Sequence, residues 1–199
     1  MVENPDYCKA TNAAYKTLID HNMFDFPTNF FQIIKNMNNI SLHTYSELAK
    51  RCGYSMDQLF SVVSSNYGFT AKGAISGKCI IYYNEKNYYP VIRFTLAHEL
   101  GHIVLGHKDD GENENKEANC FARNFLCPVP AIKIFDISTT DEYQDIFNVS
   151  KLMAKNSISM IGSDWYYISV ENYSDYIEGF ENQWHRISPA KIYGIPSGY

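Results

Sequence analysis

The sequence FTLAHELGHIVLGH, residues 94–107, is the stretch around which the rest of the chain is organised. It contains His98, Glu99 and His102 in the pattern H-E-x-x-H. In an α-helix, residues four positions apart lie one turn apart on the same face, so both imidazoles can bind one metal ion. Glu99 directly follows the first histidine, so its carboxylate can reach a water molecule at that ion. This order predicts zinc-dependent hydrolysis, with His98 and His102 as Zn²⁺ ligands and Glu99 as general base.

The residues around the motif predict a helix that is largely buried. Thr95 is the expected N-cap and Gly106 the expected residue that ends the helix. Ionisable side chains are rarely buried unless they are paired or bound to metal, and a divalent ion satisfies all three of them. The alternative is an amphipathic helix whose histidines only cap or pack. The apolar positions that support burial are Leu96, Leu100, Ile103, Val104 and Leu105.

A third metal ligand has to come from further along the chain. His107 is the nearest candidate, and a ligand at that end of the motif would suggest the metzincin pattern. That pattern requires glycine at position 105 and histidine at 108, where this chain has Leu105 and Lys108. The metzincin interpretation therefore fails, and acidic residues further downstream become the stronger candidates.

Residues 112–126 predict a second helix, in which apolar residues recur at helical spacing before Pro128. Glu117 precedes Phe121 by one turn, so we expect its carboxylate on the apolar side, facing the metal. Glu117 is therefore the predicted third ligand, in the manner of a gluzincin, and Glu114 is the alternative. For either residue, the competing interpretation is an acidic helix start that complements the helix dipole.

The blocks RFTLAHELGHIVLGH and EANCFARNFLCP resemble the ImmA/IrrE family of metallopeptidases. The resemblance is close over residues 70–130 and weak outside them. One departure is the sequence at 125–128, Phe-Leu-Cys-Pro, where the family more often has Leu-Leu-Met-Pro. The resemblance implies a zinc helix that follows a small sheet. It also implies a protein substrate, a helix-turn-helix transcriptional repressor that is cleaved at one site.

Composition excludes several other classes of protein. The net charge of −5 over 199 residues argues against a general nucleic-acid binder held by phosphate contacts. Five cysteines without a C-x-x-C pair indicate free thiols in a reducing compartment. The first residues lack the apolar core of a signal peptide, and no apolar run is long enough to span a membrane. We therefore expect a cytoplasmic protein that binds neither membranes nor nucleic acid.

Residues 41–67 carry a second pattern, two capping boxes separated by Gly53, which is also typical of a helix-turn-helix. The second of these helices contains Asp57 and no lysine or arginine, so it would meet phosphates with the wrong charge. We therefore expect this segment to pack within the protein. The boxes pair Thr44 with Glu47 and Ser55 with Gln58.

The predicted fold class is α+β, mostly helical, with a small antiparallel sheet beside the metal helix. The three expected regions, packed as one domain, are an N-terminal helical region (1–67), a metallopeptidase core (68–130) and a C-terminal helical pair with a tail (131–199). Predicted helices cover 4–22, 28–37 and two segments within 131–161, the first starting at a capping box of Thr139 and Glu142. Predicted strands include Ile75, 79–83, 89–94 and 166–170, with a hairpin loop at 84–87. Residues 171–199 show no interpretable pattern.

The sequence thus predicts a zinc endopeptidase. The main alternative is a zinc-binding anti-repressor or toxin–antitoxin partner that acts by docking. A hydrolase acting on a non-peptide bond is a further alternative. Replacing Glu99 with glutamine separates cleavage from docking, because docking does not need the general base.

Overall fold

The computed structural model describes residues 4–73 and 77–184. This part of the chain contains ten helices and three strands. This confirms the α+β, mostly helical fold class. The helices are α1 (Tyr7–Asp20), α2 (Phe30–Asn36), α3 (Tyr45–Cys52), α4 (Met56–Val62), α5 (Tyr89–Leu105), α6 (Glu112–Leu126), α7 (Val129–Ile134), α8 (Thr140–Phe147), α9 (Lys151–Tyr167) and α10 (Val170–Trp184). The strands are β1 (Ile40–Thr44), β2 (Gly68–Lys72) and β3 (Cys79–Tyr83). The predicted strand residue Ile75 and residues 185–199 lie outside the described residues.

The sheet has the order β1-β3-β2 and is mixed rather than antiparallel. Strand β2 pairs antiparallel with β3, with Gly68 opposite Tyr83. Strand β1 pairs parallel with β3, with Ile40 opposite Cys79. The sequence did not predict β1, because a parallel partner comes from a distant segment and leaves no turn signal between the two strands. Strand β2 is consequently an edge strand of the sheet.

The predicted strand over residues 89–94 is wrong, because these residues form the first turns of α5. Pro90 lies in the first turn, where a missing backbone N–H costs no hydrogen bond and its fixed φ suits a helix. The loop at 84–87 therefore leads into a helix and does not close a hairpin. The aromatic and β-branched residues of this segment are accommodated because the helix is packed against the sheet, and burial overrides local preference.

The predicted strand over residues 166–170 is also wrong. Helix α9 continues to Tyr167, and α10 begins at Val170 after a short extended connection at Ile168. Without a neighbouring strand to pair with, a β-favouring run of this length has no sheet to join.

Local capping rules predicted several helix starts correctly. In α3, α4 and α8 the cap hydroxyl accepts the backbone N–H of the third helical residue, and that residue's side chain accepts the cap's own N–H. Helices α1 and α2 lie within the segments predicted to be helical.

One buried apolar cluster contains residues from all three predicted regions, from Ala10 on α1 to Phe180 on α10. Helix α6 lies at its centre and packs on α1 on one side and α5 on the other. A smaller cluster around Tyr45 and Leu59 holds α3 and α4 against the sheet. All five cysteines are unpaired. Within the described ranges, no helix has the length and apolar character needed to cross a membrane.

A buried ion pair joins α6 to α9. The Nε and Nη2 atoms of Arg123 donate to the two carboxylate oxygens of Asp164, both at 2.6 Å, and Asp164 is 2% exposed. We expect Asp164→Asn to lower the free energy of unfolding by about 3 kcal/mol, because the guanidinium would stay buried without its counter-charge. Urea denaturation measures the change.

The matched control is Asp20→Asn, since Asp20 pairs with Lys16 on the exposed surface of α1. This variant should lose less than about 1 kcal/mol, because exposed ion pairs contribute little in water. Equal losses in the two variants would contradict the importance of the buried pair.

Candidate metal centre

Helix α5 brings His98 and His102 together, as the motif predicted. Their Nε2 atoms face each other at a distance of 3.0 Å. The helix ends at Gly106 with φ of 76°, which confirms the predicted left-handed end. Thr95 is not the N-cap, because the helix begins at Tyr89 and Thr95 lies buried within it.

The proton on His98 is fixed by an amide on α6. The Nδ1 atom of His98 lies 2.9 Å from Oδ1 of Asn119, and an amide oxygen can only accept a hydrogen bond. His98 therefore carries its proton on Nδ1, and its Nε2 lone pair points at His102. A histidine held in this way by its outer nitrogen is the usual arrangement of a metal ligand.

Asn115 lies one turn before Asn119 on α6 and lines the same cleft as His98. Its Nδ2 atom donates to the backbone carbonyls of Asp110 and Gly111, at 2.8 and 3.0 Å, which leaves Oδ1 as the free end of the amide. Against the larger lowering effect of burial, hydrogen bonding to Asn115 raises the pKa of His98 and of His102. Imidazole nitrogens suit a divalent ion such as zinc.

Burial keeps both imidazoles in the neutral form that binds metal. Desolvation lowers the pKa of His98 and, together with the neighbouring His98 and His107 rings, lowers the pKa of His102 to about 4. In the described part of the chain, no three side chains of histidine, cysteine, aspartate or glutamate converge at one point. The metal-type donors that do meet are the Nε2 atoms of His98 and His102.

Glu117 is separated from the facing Nε2 atoms by His107, which lies between Glu117 and His102. Its Oε2 atom is 3.0 Å from Nε2 of His107, and its Oε1 atom accepts the backbone N–H of Asp6 at 2.8 Å. The Nδ1 atom of His107 is in turn 3.0 Å from Nδ1 of His102. The other acidic candidate, Glu114, lies beside Gly111 at the start of α6.

Glu99 lines a cleft beside the histidine pair. Thr70 on β2 donates its hydroxyl to Oε2 of Glu99 at 2.8 Å. Burial raises the pKa of Glu99, and the nearby Asp110 charge adds to this, while the Thr70 hydrogen bond opposes it. A carboxylate with a raised pKa in a cleft accepts protons more readily than an exposed one, which suits a general base.

The cleft is open, with a volume of about 500 Å³. One wall is the segment leading into β2 together with that edge strand, and the other is formed by α5 and α6. A second depression of about 520 Å³ shares Phe94 and Asn119 with it and continues towards α9. The cleft is lined by Ser64, Ser65, Tyr67, Gly68, Phe69, Val91, Phe94, Thr95, His98, Glu99, Asp110, Asn115 and Asn119.

Sequence reasoning did not single out Asn115, Asn119, Thr70 or Asp110. The spacing of Asn115 and Asn119 carried a usable signal, because residues four apart share one helix face. Thr70 and Asp110 carried none, since only the fold brings β2 and the loop before α6 to the cleft.

Close packing of α5 against α6 depends on Gly101 inside the motif. A Cβ atom at this position would lie 3.1 Å from the Phe121 ring. We expect Gly101→Ala to lower the free energy of unfolding by about 1–3 kcal/mol, because the two helices must move apart. Thermal and urea denaturation measure this loss.

Gly162 on α9 is the control, since a Cβ atom there would meet nothing within 4 Å. Gly162→Ala should raise the free energy of unfolding by about 0.5–1 kcal/mol, because alanine favours a helix over glycine. Stabilisation by both alanines would show that the helices are not tightly packed at Gly101.

The low pKa of His102 predicts how metal-free protein responds to acid. The unfolded chain takes up a proton near the ordinary histidine pKa of about 6.5, whereas the folded chain does so only near 4. Stability should therefore fall as the pH drops through this window, by about 3 kcal/mol. Urea denaturation of metal-free protein at pH 7 and pH 4 measures the fall. His102→Gln should make it shallower, and an unchanged slope would contradict the prediction.

Comparison with protein families supports the importance of this region. Residues 63–159 match the family model for peptidase M78, described as the IrrE N-terminal-like domain. The match includes β2, β3, α5, α6 and about half of α9. Among curated proteins, none matches the chain at a significant level.

Proposed function

We propose that this chain, whose residues 63–159 match the peptidase M78 family model, is a zinc-dependent endopeptidase of the ImmA/IrrE family. The observation that carries the proposal is the pair of facing Nε2 atoms of His98 and His102, 3.0 Å apart, with Glu99 lining the adjoining cleft. When bound, zinc would supply a Lewis acid that polarises the scissile carbonyl and acidifies a water molecule. His98 and His102 are the proposed ligands.

For the third ligand, the sequence predicts Glu117, and we propose Asn115 in its place. The Asn115 amide interacts with both imidazoles, and the Glu117 carboxylate contacts His107 instead. We therefore assign the third donor on α6 to the Asn115 oxygen. An amide leaves the full double charge of zinc uncompensated by its ligands, and Glu99 and Asp110 supply negative charge nearby.

Glu99 is the proposed general base. Thr70 holds one of its carboxylate oxygens, which orients the side chain and leaves Oε1 to take a proton from the attacking water. The same carboxyl would then deliver that proton to the nitrogen of the leaving amine. Desolvation, which raises the pKa of Glu99, strengthens it as an acceptor in the first step.

The shape of the cleft supports a polypeptide substrate over a small molecule. Two open depressions adjoin at Phe94 and Asn119, and Gly68 and Phe69 of edge strand β2 line one of them. An extended peptide can add to such an edge through main-chain hydrogen bonds. The five unpaired cysteines support a reducing location such as the cytoplasm.

The proposed substrate is a helix-turn-helix transcriptional repressor, cleaved at one site so that repression is relieved. This assignment rests on the family resemblance. The competing function is relief of repression by docking alone, with the zinc retained but no bond cut. The two functions differ in whether they need Glu99.

The test uses the full-length chain and a helix-turn-helix repressor encoded beside its gene. We expect one zinc per chain by elemental analysis and cleavage of the repressor to defined fragments. Glu99→Gln should keep the zinc and slow cleavage by about 10²–10⁴-fold, the usual contribution of a general base. His98→Ala should lose the zinc.

The matched control is Glu112→Gln, the same change at an exposed carboxylate of α6 that pairs with Lys116. Its cleavage rate and zinc content should equal those of the unaltered chain. If Glu99→Gln still cleaves, Glu99 is not the base. If it relieves repression without cleaving, docking is the function.

A further inference from the structure

A line of hydrogen bonds connects the start of α1 to the metal-facing histidines. The backbone N–H of Asp6 donates to Glu117, the other carboxylate oxygen of Glu117 contacts Nε2 of His107, and Nδ1 of His107 contacts Nδ1 of His102. The three distances are 2.8, 3.0 and 3.0 Å. The side chains of His107 and Glu117 are only 7% and 14% exposed, so water competes little for these bonds.

The direction of each bond follows from which atoms can donate. A carboxylate only accepts, so His107 must donate to Glu117 through an N–H at Nε2. A neutral imidazole has one N–H, so Nδ1 of His107 is a bare acceptor. His102 must therefore donate from Nδ1, which leaves its Nε2 atom without a proton.

His98 and His102 adopt the same tautomer, each through a contact with a different neighbouring side chain. Asn119 fixes the proton of His98 on Nδ1, and the His107 contact fixes the proton of His102 on Nδ1. Both Nε2 lone pairs then point at each other across 3.0 Å. Two lone pairs repel each other at this distance. A cation coordinated by both nitrogens would remove this repulsion, so the arrangement favours metal binding.

We propose that Glu117 and His107 are positioning residues that select the metal-binding tautomer of His102. This role rests on the proposed metal-dependent function, and it places Glu117 one step outside the ligand set. We call this line of hydrogen bonds from Asp6 to His102 the relay. It also connects α5 to α1, because Asp6 is the N-cap of α1 and its N–H bonds to the second oxygen of Glu117.

Nearby contacts reinforce this connection. The Nζ atom of Lys9, in the first turn of α1, donates to the carbonyl of Leu105 at the end of α5, at 3.2 Å. The start of α1 is thus bonded to both helices of the metal centre. We infer that α1 holds the relay in place in addition to closing the core.

The change Glu117→Gln should reverse the relay. Glutamine has one acceptor oxygen, and the Asp6 N–H requires it, so the amide NH₂ would face His107. His107 would then accept at Nε2 and donate from Nδ1, and His102 would carry its proton on Nε2. That proton occupies the position of the metal.

Long-range ¹H–¹⁵N correlation spectra of metal-free protein with ¹⁵N-labelled histidine report each tautomer directly. In the unaltered chain we expect His98 and His102 to be protonated on Nδ1. In Glu117→Gln, His102 should switch to Nε2, and zinc affinity measured by competition with a chelator should fall by about 10–100-fold, as for other outer contacts of metal ligands.

Two further variants complete the test. Glu112→Gln makes the same chemical change on the exposed side of α6 and should leave the His102 tautomer and zinc affinity unchanged. His107→Phe keeps a ring in place but removes the acceptor for His102, so the His102 proton should no longer be confined to Nδ1. If Glu117→Gln fails to fold, judged by circular dichroism, His107→Phe decides the question.

An unchanged His102 tautomer in the folded variants would overturn the relay, and a loss of zinc affinity without a tautomer change would identify Glu117 as a direct ligand instead. The spectra need neither zinc nor substrate. Failure of the relay is therefore distinguishable from failure of the peptidase proposal, which would appear as absent zinc or absent cleavage in the unaltered chain.

Discussion

The three ionisable side chains of the motif, His98, Glu99 and His102, lie in a largely buried helix, and each of them must have a partner. The structure provides one from a different element in each case: Asn119 on α6 for His98, Thr70 on β2 for Glu99, and His107 after the helix for His102. Satisfying these groups fixes where α6 and the sheet must lie around α5. The positions of the surrounding elements are therefore coupled to the chemistry of the motif.

Much of this arrangement could be predicted from the sequence, because it follows from local rules. The H-E-x-x-H spacing places two imidazoles on one helix face, and the capping boxes mark helix starts from four residues at a time. The left-handed end of α5 at Gly106 follows from the same kind of reasoning. These features need no knowledge of which segments meet in the fold.

The remaining features depend on contacts between distant segments. Helix α6 is packed on both α1 and α5, so its apolar pattern does not say which side faces the metal helix. The sequence pattern placed Glu117 on the buried side of α6. That side also faces the start of α1, whose Asp6 N–H bonds to the Glu117 carboxylate. Residues 89–94 likewise have strand preferences, and only burial against the sheet makes them helical.

The proposed peptidase function depends on His98 and His102 binding one divalent ion through their Nε2 atoms. X-ray absorption spectroscopy at the zinc edge of the zinc-loaded chain measures this most directly. We expect two imidazole nitrogens at about 2.0–2.1 Å, with the remaining neighbours being oxygen. A first shell that contains sulfur, or that lacks two imidazoles, would contradict it.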